Sequence, residues 1–99
     1  MDTIFALASA QGRAGVAVVR ISGPHAFPSA EALAGSLPAP RQAALRVLRD
    51  SVGEVLDQAL VLTFAGPASF TGEDVVEFHL HVSVAVIAAV LRALGETPA

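Results

Sequence analysis

"SFTGEDVVEFHLH", residues 69–81, decides how this chain is read. From Val76 onward, apolar and polar residues alternate, and a period of two marks a strand with unlike faces. Val76, Phe78, Leu80 and Val82 then point toward a core, while Glu77, His79 and His81 share the opposite, polar face. The preceding "AGPASFTGED" carries glycines, a proline and hydroxyls, and is the most loop-like part of the sequence. Gly72 suits a backbone conformation that other residues resist, and Ser69 and Thr71 can tie the turn with side-chain hydrogen bonds. Three acids and two histidines fall within residues 73–81, so a tight turn aims a concentrated set of titratable groups.

Working outward, "QALVLTF" is a β-rich run, and "AALRVLRD" leads into "SVGEVLD" through a turn at Gly53, which together suggest a hairpin. The prolines of "SLPAPRQ" mark a loop. "SGPHAFPSAEALAG" offers helix-start chemistry twice, at Ser22 before Pro24 and at Phe27 before Pro28, with Gly35 as the stop. Because Pro28 lacks a backbone N–H, the helix is expected to begin near it. "VAVVRIS" lacks strict alternation and reads as a strand buried on both faces, and Thr3–Ala8 reads as a short strand before it. Downstream, "SVAVIAAVLRALG" predicts a helix capped by Ser83, stopping at Gly95 and facing protein along a wide apolar surface. The order predicts an α+β class: a mixed five-stranded sheet with two or three helices mainly on one face.

The 99 residues suffice for one hydrophobic core, so residues 1–99 are expected to form a single domain. Apolar residues make up 54% and charged residues 15%, far from the balance of a disordered chain. The absence of lysine excludes the phosphate-gripping loop GxxxxGK[ST], so this segment does not hydrolyse GTP or ATP by that route. A formal net charge of −3 argues against a dedicated nucleic-acid binder. With no cysteine, disulfides, thiolate metal sites and cysteine nucleophiles are excluded. Asp2 stands where a signal peptide would be positive, and no apolar run approaches the roughly 20 residues that span a bilayer. The expectation is a cytoplasmic protein without membrane contact.

Two places break the bland pattern: Arg20 in an apolar run, and the cluster of Glu73, Asp74, Glu77, His79 and His81. A guanidinium placed among apolar residues needs an acceptor for its fork of donors. Asp57 and Asp74 are candidate structural partners, as are backbone carbonyls or a ligand. For Glu77 the ordinary reading is a carboxylate solvated on the wet side of an antiparallel sheet. Glu77, His79 and His81 offer oxygen and nitrogen donors to zinc, but three consecutive positions of one strand face do not surround a tetrahedral ion unaided. Ser22, Ser69 and Ser83 lack the context of a hydrolase nucleophile.

In order and spacing, "DTIFALAS", "GRAGVAVVRISGP", "VLDQALVLTF" and "GPASFTGEDVVEFHLH" resemble the N-terminal domain of the bacterial and organellar tRNA-modification GTPases, the MnmE (TrmE) family. The resemblance covers essentially the whole chain. It implies a tetrahydrofolate-binding domain, similar to the folate domain of aminomethyltransferases, that also makes a homodimer. It further implies a parent whose GTPase domain binds GTP, magnesium and potassium, and which works with a flavoprotein partner on the wobble uridine of tRNA. The family's folate-contacting arginine in "RISG" falls on Arg20, and its glutamate in "GEDVVE" on Glu77. Glu77 would then accept the pterin's adjacent N–H donors, Arg20 would orient a 5-formyl or 5,10-methylene folate, and Phe70, Thr71 and Gly72 would shape the wall. No catalytic residue and no metal ligand is implied here. Val82 and Ser83 stand where the family reads two glycines after the histidine, and Leu80 where a small residue or cysteine is common. The family's "PGEF" continuation and the lysines that complete its folate site lie past Ala99, which implies a fragment with a partial site. A homodimerisation scaffold in which Arg20 and Glu77 simply pair is the alternative, and a strand-borne zinc site a third reading.

Overall fold

The alternating segment forms the middle of the molecule. In the computed structural model, which describes residues 3–8, 16–67, 69 and 72–97, the chain runs β1 (Ile4–Leu7), β2 (Val16–Ser22), α1 (Ala26–Ala34), β3 (Ala44–Arg49), β4 (Val55–Phe64), β5 (Val75–His81) and α2 (Val84–Gly95). The sheet order is β1-β2-β5-β4-β3, so the last strand inserts between the two hairpins and becomes the central one. The α+β class holds. All four pairings are antiparallel, in place of the mixed sheet that the element order suggests, because each long connection returns its strand in the opposite sense.

One sheet face carries the core. Val19 and Ile21 of β2, Val76, Phe78 and Leu80 of β5, and Ala59 and Val61 of β4 are buried there with Leu48 of β3. Ala26, Ala30, Leu33 and Ala34 of α1 and Val90, Ala93 and Leu94 of α2 join the same cluster, which places both helices on that face. Phe78 is wholly inaccessible, and burying such a side chain contributes on the order of 1.5–3 kcal/mol relative to leaving it in water. The other face bears Arg20, Glu77 and His79 among apolar neighbours. Val16, Leu45, Val47 and Leu60 are exposed on it.

Several expectations are adjusted by this arrangement. β2 is not buried on both faces: Ala17, Val19 and Ile21 are inside while Val18, Arg20 and Ser22 are half-buried on the open side. α1 starts at Ala26, with His25 at the N-cap and no side-chain cap, so neither Ser22 nor Phe27 caps it. Pro28 sits inside the first turn, where a missing N–H removes no intrahelical bond. Gly35 ends the helix at φ 75°. Gly53 makes the β3–β4 turn at φ 86°, with Asp50 Oδ1 accepting from the N–H groups of Val52 and Glu54. Val82 lies past the end of β5 and is 47% exposed rather than in the core. Ser83 does cap α2, its hydroxyl accepting the Val86 N–H at 3.3 Å, but Val84 and Ala85 stand in solvent, Val84 86% exposed, while Val86 and Ile87 pack against the core. No helix among the described residues is long and apolar enough to cross a membrane.

Candidate functional site

The register brings the flagged residues together. Arg20 of β2 lies directly opposite Glu77 of β5, with Ala6 of β1 on Arg20's other side and Leu62 of β4 on Glu77's other side. Residues opposed in an antiparallel pair point to one face at contact distance. Arg20 Nε and Nη2 both donate to Glu77 Oε2, at 3.1 and 2.7 Å. The fork therefore converges on one oxygen instead of spanning both. Glu77 Oε1 meets His79 Nε2 at 3.1 Å. Because an ionised carboxylate only accepts, this contact requires the proton on Nε2. Asp57 and Asp74 are thus not the partners of Arg20 in this pair, and Glu77 is not a solvated carboxylate.

Glu77 lies in the central strand, and only 10% of its side chain is accessible, against 37% for Arg20. Burial pushes its carboxyl upward, but the hydrogen bonds from Arg20 and His79, with the charges behind them, outweigh that and hold it below the ordinary carboxylate range. The group is ionised, aimed and half-enclosed at neutral pH. His79 is itself flanked by Val18 and Leu60 across the two ladders. It also lines a shallow hollow of about 220 Å3 together with Val16, Leu60 and His81.

The loop before β5 is tied to this end of the sheet. Asp74 accepts the Gly23 N–H on its backbone carbonyl and the Gly66 N–H on Oδ1, both at 3.0 Å. The Ser69 hydroxyl donates to the Glu73 carbonyl, and the Gly72 N–H reaches the Ser69 carbonyl. Gly72 takes φ 80°, the conformation for which glycine was expected. Gly66 is required for a different reason: a Cβ there would lie 2.7 Å from the Gly72 carbonyl oxygen. Phe70 and Thr71, the other expected wall residues, lie outside the described residues.

Sequence reasoning missed two arrangements. His81 does not join Glu77; its backbone N–H and Nδ1 are both held by Asp57, each at 2.9 Å. Asp57 in "EVLDQALV" is the available signal, since an acid inside a strand needs donors. Arg41 adopts φ 64°, rare for a residue with a side chain. Its N–H bonds the Thr63 carbonyl at 2.8 Å and its guanidinium lies 5.8 Å from the Phe64 ring centre; nothing in the sequence announces this. His25 is elsewhere, its N–H bonded to the Thr3 hydroxyl. Among the described residues no group of three histidine or acidic side chains is arranged to hold a metal ion.

The fold and site together define a small antiparallel α+β domain with an arginine–glutamate pair at the centre of an open sheet face. Residues 3–99 match the family model described as GTP-binding protein TrmE N-terminus, and the chain belongs to that family. It is 65% identical over 96 residues to the tRNA modification GTPase MnmE of Roseobacter denitrificans, an alignment covering 97% of this chain and 22% of that protein. It is 59% identical over 98 residues to the protein of the same name from Dinoroseobacter shibae, covering 99% of this chain and 23% of that protein. With the protein of that name from Methylorubrum populi the identity is 60% over 98 residues. The chain thus spans less than a quarter of the length of these curated relatives.

Proposed function

We propose that this domain binds a reduced folate, a 5-formyl- or 5,10-methylene-tetrahydrofolate, and makes a homodimer, as the first part of a GTPase that modifies the wobble uridine of tRNA. Glu77 accepts from the adjacent N–H donors of the pterin, and Arg20 orients the bound cofactor. Phe70, Thr71 and Gly72 contribute the wall. The observation that carries this reading is the cross-strand pair itself: a buried, ionised carboxylate beside a guanidinium, on an open face, in a chain of this family. A carboxylate matches a paired N–H edge, and a guanidinium suits a carbonyl oxygen or a carboxylate tail. The domain positions the one-carbon carrier and performs no chemistry alone. GTP, magnesium and potassium belong to the GTPase region of the parent, as do work with a flavoprotein partner and action on tRNA in the cytoplasm.

A second reading is a dimerisation scaffold without ligand. It is favoured by the direct Arg20–Glu77 contact, which satisfies both charges internally, and by the exposed Val16, Leu45, Val47 and Leu60 around them. Titration calorimetry with 5-formyl-tetrahydrofolate separates the two. Saturable heat from the unaltered chain that disappears in Glu77→Ala, with the variant still folded by thermal melting, supports folate binding. A chain that sediments as a dimer and gives no heat with any reduced folate selects the scaffold.

A further inference from the structure

We propose that His79 is a positioning residue for Glu77, fixing Oε1 while Arg20 fixes Oε2, so that the carboxylate presents one open acceptor direction on each oxygen to a donor-bearing heterocycle. The inference rests on the ligand reading above and extends it to a residue that reading does not use. An ionised carboxylate has about four acceptor directions, two on each oxygen. The two Arg20 donors, parallel on one guanidinium, reach Oε2 from the same side, and His79 takes one direction on Oε1. One direction on Oε1 remains. A ligand edge with two adjacent N–H donors therefore docks its first donor there, and its second on the side of Oε2 away from the converged arginine fork. Without His79, Oε1 has both directions open and only the Arg20 bonds on Oε2 limit the carboxylate's last torsion, a broad and soft one.

The imidazole is built for this task rather than merely near it. Val18 and Leu60 flank it across the two ladders, its side chain is 27% exposed, and it walls the 220 Å3 hollow, which Glu77 does not line. A ligand lying in that hollow would press on the same ring that aims the carboxylate. The carboxyl of Glu77, raised by burial but held low by the hydrogen bonds and charges of Arg20 and His79, agrees with the geometry.

The test compares His79→Gln, whose amide N–H takes the place of Nε2–H, with His79→Leu, which fills the space without a donor. Two readouts are taken on folded protein: affinity for 5-formyl-tetrahydrofolate by calorimetry, and the titration midpoint of the Glu77 carboxyl by carbon-13 NMR. His79→Leu is expected to weaken binding about tenfold, the scale of a lost charge-assisted hydrogen bond, and to raise the Glu77 midpoint. His79→Gln is expected to bind within about threefold of the parent sequence, which is rescue by a conservative donor. Equal affinities in all three proteins, or equal losses in both variants, would overturn the proposal. If the unaltered chain binds no folate, the ligand reading fails on its own, and the midpoint alone decides this one: a rise in His79→Leu supports it and an unmoved midpoint refutes it.

Discussion

Replacing Arg20 with methionine tests whether the Arg20–Glu77 pair is the ionised, half-enclosed unit that its geometry describes. Methionine keeps most of the side-chain volume and removes the charge, so the chief effect is a carboxylate left in the central strand with only His79 opposite one oxygen. Breaking a fully buried pair costs about 3–5 kcal/mol because the abandoned charge remains desolvated. Here the arginine side chain is 37% exposed, so water screens the pair and the expected loss at pH 7 is about 1–2 kcal/mol. For a domain of this size that corresponds to a fall in Tm of roughly 5–15 °C. Urea unfolding at fixed protein concentration across pH gives the sign. Glu77's carboxyl lies below its ordinary range in the folded protein, so its stabilisation is present above the unfolded carboxyl's range and is lost as the pH falls through the folded one. In Arg20→Met the burial effect is no longer outweighed, and the carboxyl takes up its proton at higher pH. The gap between the two proteins should therefore be widest near neutrality and close under acid. Equal stability at pH 7, or a gap that persists unchanged at the acid end, would refute the reasoning.

Two further outcomes follow from the backbone. Gly66→Ala forces a Cβ against the Gly72 carbonyl and the Glu73 backbone, neither of which is a flexible side-chain end, and should cost about 1–3 kcal/mol in denaturant unfolding; an unchanged midpoint would show that the loop before β5 is not held as described. Ser83→Ala removes the hydroxyl that accepts the Val86 N–H and should cost about 0.5–2 kcal/mol, whereas Ser83→Gly should cost only a few tenths; equal losses would show that the cap does not operate.

How much was legible depends on the range of the cause. The five strands and two of the two or three expected helices were readable because β-rich runs, the alternation of β5, proline and glycine act within a few residues: Gly35 at the helix stop, Gly53 at the turn and Gly72 in the loop all take positive φ. Pairing senses were not readable, since they follow from which strands meet after β5 inserts between β2 and β4. Arg20 and Glu77 stood out by chemistry, as charges among apolar neighbours, yet their union is a matter of register 57 positions apart. From composition and periodicity alone Asp57 and Asp74 served equally well as partners. The structure instead commits Asp57 to His81 and Asp74 to Gly66 and Gly23. His81 left its expected group for the same reason: the β4–β5 ladder ends at Leu60 and His79, and beyond it Asp57's side chain takes over the role of a strand carbonyl.

Stability alone gives little reason for this pair. A buried ion pair replaced on both sides by apolar residues of similar volume is often as stable or more so, and here Ala6, Val18, Leu60 and Leu62 already surround Arg20, Glu77 and His79 with apolar side chains across the ladders. Leucine at both positions would widen the apolar part of that face, good for packing against anything flat and apolar but unable to choose among partners. The converged arginine fork, the second donor from His79 and the single acceptor direction left on Oε1 give that face one polar point with a defined orientation. Arg20→Met combined with Glu77→Leu therefore separates the two roles of the pair. The double replacement should unfold close to the parent sequence while losing whatever recognition depends on an oriented carboxylate, and a double variant as unstable as Arg20→Met alone would return the pair to a purely structural part.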